Sequence, residues 1–282
     1  MKTINNILVV LIIILAIIAS SYGFFSKKII YENKTFKTIY GETITLNGKG
    51  LYYNDSVSMA AQASAQDFVT LAVGLPLLII SLILSNKKSI KGMLMLLGII
   101  GYFLYTYTSY SFLAMYNKFF LFYVILMSLS LFAFINLFKS DIFKDLKNNF
   151  SDRFPRKYIG IFNIFMGFCI CLLWLGMIIP SIGKAPPVLE HYTTLSIQVL
   201  DLGIIVPVAI ISGVLLIKNE SIGYLLTSII IIKGITLLLA VVMMLIFMHL
   251  AGVKLSMVEA IMFPAFLVIL FFNSFLLFKH IS

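Results

Sequence analysis

Eight stretches of this chain are apolar over a length that suits a bilayer, and they leave little sequence for anything else. They cover residues 5 to 25, 67 to 85, 93 to 114, 119 to 138, 158 to 179, 196 to 217, 222 to 249 and 261 to 278. Crossing roughly 30 Å of hydrocarbon takes about 18 or more apolar residues at about 1.5 Å per residue. Backbone groups cannot stay unpaired in lipid, so such segments are helices or strands of a closed barrel. Barrel strands alternate polar and apolar residues, and LLIISLIL at 77 to 84 does not. With 61% hydrophobic residues, 11% charged residues and a mean hydropathy of +1.06, the predicted class is all-α. The expected architecture is a single transmembrane domain over residues 1 to 282, a polytopic bundle of eight spans.

Charge sets the expected orientation. One set of loops and ends carries Lys2, Lys87, Lys88, Lys91, Lys139, Lys144, Lys147, Arg153, Arg156, Lys157, Lys218 and Lys279. Outside the long segment 26 to 66, the opposite set holds only Lys118, Lys184 and Lys254. Cytoplasmic loops carry the cationic excess, so both termini are expected in the cytoplasm. The net charge of +10 is explained by cations at membrane ends, in contact with membrane lipid, and nucleic acid is not an expected partner. Lys2, the apolar core Ile7 to Ile18 and Ala19, Ser20 and Ser21 also have the layout of a cleavable signal peptide. The apolar run continues to Phe25, however, and an uncleaved first span is expected.

Residues 26 to 66 form the one sizeable external segment, where TFKTIYGETITLNGKGLYYN suggests a small β-hairpin turning near Asn47 and Gly48. The following SVSMAAQASAQD reads as a small-residue helix running into the second span. On the other side lies a basic cytoplasmic loop, 139 to 157. Its DIFKDLKNNF puts Ile142, Phe143, Leu146 and Phe150 on one helical face, as an in-plane helix on an anionic leaflet would. A membrane-protein or cytosolic partner docking there is the rival reading. LPLLIIS at 75 to 81 matches VPVAIIS at 206 to 212, an offset of 131 residues from Pro76 to Pro207. That offset suggests two parallel four-helix repeats, 1 to 139 and 158 to 279, related by an axis along the membrane normal.

Inside the spans few residues can carry chemistry. Lys233 lies mid-span in SIIIIKGITLLL, too deep to snorkel, and an unpaired ammonium there costs at least about 2.5 to 3.5 kcal/mol. Asp201 is the acid well inside a span, roughly 6 Å from Lys233 in depth at about 1.5 Å per residue. Pro207 frees the carbonyl of Gly203 just beyond that acid. Thr194, Gln198, Asp201 and Ser212 are predicted on one face of the sixth span. Ser64, Asp67, Thr70, Gly74, Ser81 and Ser85 form the answering stripe of the second, across a central axis. Asp67 also reads as an N-cap, and Ser256 with Glu259 as a capping box. Tyr102 and Tyr105 are deep enough to need a partner, Lys233 or Asp201, whereas the outer tyrosines and Trp174 suit an aromatic belt.

Other chemistries are poorly served. Cys169 and Cys171 match neither a zinc nor a redox pattern and read as packing residues. A retinal site would place an acid four residues before Lys233, where Ile229 stands. Haem would need histidines inside the spans, and His191, His249 and His280 sit at their ends. No HExxH, GxSxG or Walker A pattern occurs, so neither metal nor cofactor is expected. The passages YTSYSFLAMYNKFFLFY and AQDFVTLAVGLPLL resemble a family of prokaryotic multi-span membrane proteins. That resemblance implies the architecture and brings no activity with it. The leading expectation is a permease-like protein for a small solute or ion, proton-coupled through Asp201 and Lys233. The alternatives are a non-catalytic sensor or scaffold subunit and, third, a lipid-active enzyme using Glu190, His191 and His249 at the outer surface.

Overall fold

Residues 2–32, 34–39, 41–184 and 189–282 are described by the structure, a computed structural model. Among the described residues, eight helices are long and apolar enough to cross a membrane: α1 (Thr3–Phe25), α2 (Val57–Asn86), α3 (Ile90–Leu113), α4 (Phe120–Phe138), α5 (Arg156–Ser181), α6 (Ser196–Ile217), α7 (Ser221–Leu250) and α8 (Met257–Lys279). In α3, 61% of the most apolar window is buried, and no other helix exceeds 39%, which makes α3 the centre of the bundle. It packs on α2, α4 and α7, while α7 also carries α2, α6 and α8.

Local chemistry sets several of the ends. The Ser56 hydroxyl accepts the Met59 N–H at 3.1 Å and starts α2 well ahead of Asp67. Asp67 is therefore an interior residue, and the N-cap expected of it belongs to Ser56. Ser89 caps α3 in the same way, through the Gly92 N–H at 3.2 Å. Ser256 occupies the N-cap position of α8, but its side chain makes no capping bond, so the expected box with Glu259 does not form.

Both α2 and α6 are interrupted by a π-turn, Thr70–Gly74 in the first and Asp201–Ile205 in the second. Each lies immediately ahead of a proline, Pro76 and Pro207. Proline lacks an N–H and its ring presses on the carbonyl four residues earlier; a widened turn relieves that contact without ending the helix.

The segment 26 to 66, expected to be external, holds the β-hairpin, β1 (Thr35–Lys37) against β2 (Thr43–Thr45), with Phe36 opposite Ile44. Its turn closes between Thr38 and Glu42 (N···O 2.7 Å), earlier in the chain than Asn47 and Gly48. Gly48 has φ +72° and offers its carbonyl to the N–H groups of Ile30 and Tyr31, folding the segment back on itself. The basic loop, 139 to 157, also departs from expectation. DIFKDLKNNF forms two short 3₁₀ turns, Asp141–Phe143 and Leu146–Asn149, rather than an in-plane helix. Phe143, Leu146 and Phe150 are buried in the protein core, so this apolar face is spent on the bundle and not on lipid.

The spacing of 131 residues recurs in the geometry. Lys88 (φ 61°) and Asn219 (φ 65°) form the left-handed bends that follow α2 and α6. Behind them, Gly92 is pressed against Leu84 and Ser85, and Gly223 against Leu215 and Leu216. Ser81 returns its hydroxyl to Leu78 O at 2.9 Å, and Ser212 to Ala209 O at 2.8 Å. Across the α3–α7 seam, Gly98 meets Ile232 while Gly101 meets Ile229. Advancing either glycine by 131 gives the residue that the other one touches.

Candidate functional site

Asp201 opens the π-turn of α6, and both of its oxygens are taken. Oδ1 accepts the Tyr105 hydroxyl at 2.8 Å and Oδ2 the Trp174 indole N–H at 2.9 Å. The donors come from α3 and α5, so three helices meet on one carboxylate. Trp174, expected only as a belt residue, thus also holds the acid, because an indole N–H beside a half-buried carboxylate gains a charge-assisted bond.

Lys233, 4% exposed, reaches toward the same tyrosine from α7. Its Nζ lies 3.9 Å from the centroid of the Tyr105 ring. Among the described residues the one ion pair within 4 Å is Lys144 with Asp141 at 2.7 Å, so Lys233 and Asp201 are not in direct contact. Tyr105 stands between them, its face under the ammonium and its hydroxyl on the carboxylate. A desolvated cation–π contact contributes about 2 kcal/mol, comparable with the lower bound for placing the charge at this depth. It cannot, however, fill the three N–H donors of an ammonium.

The other expected residues lie around this group unevenly. Gln198 and Gly203 line a hollow of about 570 Å³ shared with Ile178, Thr193, Thr194 and Leu202, and Asp201 is not among its lining residues. Ser212 is buried on the Asn163 amide at 3.0 Å, and Asn163 also bonds Thr227 at 3.2 Å. Pro207 follows the π-turn that presents Asp201.

The stripe on α2 does not face α6 across an axis; α3 stands there and absorbs it. Gln66 donates to Tyr102 (2.8 Å) and Thr106 (2.9 Å), and Thr70 meets the Tyr102 hydroxyl at 2.9 Å. Asp67, 2% exposed, accepts Tyr52 at 2.6 Å and Tyr110 at 3.2 Å. Tyr110 is thus a buried strut, whereas Tyr116, 77% exposed, keeps a position suited to an interface.

The outer-surface residues are only partly gathered. His191 Nε2 lies 3.0 Å from Asn54 O, and its ring packs on Tyr192 and Phe36. Glu190 adopts φ 52° beside it, but His249 is exposed on α7, with no bond or ring contact to either among the described residues. A neighbouring node is tighter: Asp55 Oδ1 accepts the Met115 N–H at 3.0 Å and the Tyr192 hydroxyl at 2.9 Å. Burial pushes the Asp55 carboxyl up to about 6, against the pull of these two bonds and with Glu190 adding to the rise.

Sequence reasoning named Tyr105 as a deep phenol needing a partner but passed over Asn163, Gln66 and Tyr52. Asn163 sits as a lone amide in GIFNIFMG, and that isolation in an apolar run was the available signal. Tyr52 offered none, since it comes from the external segment. Among the described residues no group of three metal-ligating side chains is present. No family model, curated protein or solved structure matches this chain, so its function is read from its own geometry.

Proposed function

We propose that the chain is an integral protein of a prokaryotic cytoplasmic membrane, with both termini in the cytoplasm, and that it is a permease for a small solute or ion coupled to protons. The observation that carries this reading is Lys233: a buried ammonium whose partner is an aromatic face, one phenol away from a carboxylate. Its N–H donors are free to take an anionic group of a solute. A proton delivered to Asp201 turns one oxygen from acceptor to donor. If Oδ1 takes the proton it donates to the Tyr105 hydroxyl and that bond reverses; if Oδ2 takes it, the Trp174 N–H, which can only donate, loses its carboxylate acceptor.

The chain is further proposed to be two parallel four-helix repeats. The reciprocal contacts of Gly98 and Gly101 with Ile232 and Ile229 support a two-fold relation, because a two-fold interface pairs each residue with the partner of its mate. At the same spacing Thr70 corresponds to Asp201 and Tyr102 to Lys233. The first half fills these places with a neutral hydrogen bond of 2.9 Å. The same architecture therefore stands without charge, which favours a functional use for the charged pair over a purely structural one.

Uptake into proteoliposomes tests the reading. Asp201→Asn and Lys233→Met are expected to fold and to lose flux, singly and together. Single variants that unfold while the double variant is normal identify a structural ion pair and overturn the proposal. A sensor is the second reading, favoured by the Asp55 node that joins the external segment to two loops. It predicts pH-dependent movement of that segment without flux.

A further inference from the structure

At the end of the bundle opposite the β-hairpin lies a polar cavity of about 400 Å³, within the range of about 300 to 1,000 Å³ usual for small-molecule sites. Lys147, Asn148, Asp152, Arg156, Asn219 and Tyr224 line it. Its frame is built from four parts of the chain. The C-terminus clamps the inner loop: Phe150 bridges Ile281, the Ser151 N–H donates to His280 O at 2.9 Å, and the Ser282 N–H donates to Asn149 O at 3.0 Å. Arg156 is anchored by one guanidinium N–H on Ile217 O at 3.0 Å, which leaves the other donors of its fork uncommitted. Phe150 packs on Tyr224 and Phe154, with centroids 4.7 and 4.8 Å away. The Tyr224 hydroxyl holds Asn219 Oδ1 at 2.8 Å.

The charges in this cavity are not settled among themselves. Asp152 forms no ion pair within 4 Å with either Lys147 or Arg156, since the one such pair among the described residues is elsewhere in the loop. Two cations against one acid leave a net positive site. The helices α5 and α7 both begin here, at Arg156 and Ser221, and their positive dipole ends add to it. A guanidinium fork together with a lysine and side-chain amides suits the several oxygens of a phosphate better than a single-point anion.

We propose that this cavity binds a phosphate group, from either an anionic lipid headgroup or a soluble phosphate. The assignment is independent of transport. The test is calorimetric titration of the full chain in detergent with short-chain phosphatidic acid, with short-chain phosphatidylcholine, and with inorganic phosphate. Lys147→Gln and Asp152→Asn are the variants used, because neither side chain makes a hydrogen bond that holds the fold. Lys147→Gln is expected to weaken phosphate binding about tenfold and Asp152→Asn to tighten it about threefold, both effects shrinking at high salt. Binding of phosphatidic acid but not inorganic phosphate assigns the lipid source, and the reverse assigns the soluble one. Binding that neither substitution changes, or no binding of either phosphate compound, overturns the proposal.

Discussion

Two carboxylates lie inside this bundle, and they are held in opposite ways. Asp67 is sealed: two phenols serve its two oxygens, and Gly23 lies so close that a Cβ built there lands on the carboxylate. Asp201 is half-buried and reaches, through one phenol, a lysine that its surroundings leave incompletely bonded. The first arrangement is closed and specifies how α1, α2, α3 and the external segment pack. The second is open and can exchange a partner. A buried polar group that is fully bonded rigidifies a core, whereas one with free donors is poised for a ligand.

The largest effect is expected at the sealed acid. Gly23→Ala puts a methyl where the Asp67 carboxylate and the Tyr52 hydroxyl meet, so both side chains must move and their bond is lost; this is expected to cost about 3 kcal/mol in a detergent-stability assay. Tyr52→Phe removes one donor from Asp67 and is expected to lower stability by about 1 to 3 kcal/mol with uptake retained in the molecules that fold. If Tyr52→Phe proves harmless to stability, the contrast between the two acids breaks.

Outside the spans, Asp55 gives an intermediate effect with a definite sign. Its carboxyl is raised to about 6 in the folded protein, from an ordinary value near 3.8, so the folded state holds the proton more tightly. The stability this contributes is full below about pH 4 and is lost as the pH rises through 6, on the order of a few kcal/mol. Hydrogen exchange in the external segment should therefore quicken between pH 4 and 7, and Asp55→Asn should flatten that profile. A smaller loss of stability is expected for Tyr105→Phe, under about 1 kcal/mol, because the ring stays beneath Lys233 while the hydroxyl bond to Asp201 is lost. Proton-coupled uptake should nevertheless fall, which separates the relay from mere packing.

Much of this fold was legible because membrane helices must be long and apolar, and those runs cannot be hidden. Pro207, which frees a carbonyl beside Asp201, also pointed to the interrupted turn of α6. What could not be read was which side of a helix each polar residue faces once a π-turn has shifted the register. Asp201 and Ser212 share a face in a regular helix, and the extra residue of the turn beginning at Asp201 separates them, so that Ser212 meets Asn163 instead. The bonds of Tyr52 and Trp174 were missed for another reason: each joins two segments through the way they pack, and the residues themselves read only as loop and interface aromatics. The inner loop misled because its spacing fits an amphipathic helix equally well whether the apolar face meets lipid or protein.

A double-mutant cycle on the folding stability of Asp201→Asn and Lys233→Met tests the central claim most directly. With Tyr105 between the two charges, Lys233→Met is expected to leave stability unchanged or higher, with a coupling energy below about 1 kcal/mol. A loss of about 3 to 5 kcal/mol for Lys233→Met, restored by Asp201→Asn, would mean a buried ion pair built for structure, and the account would be wrong.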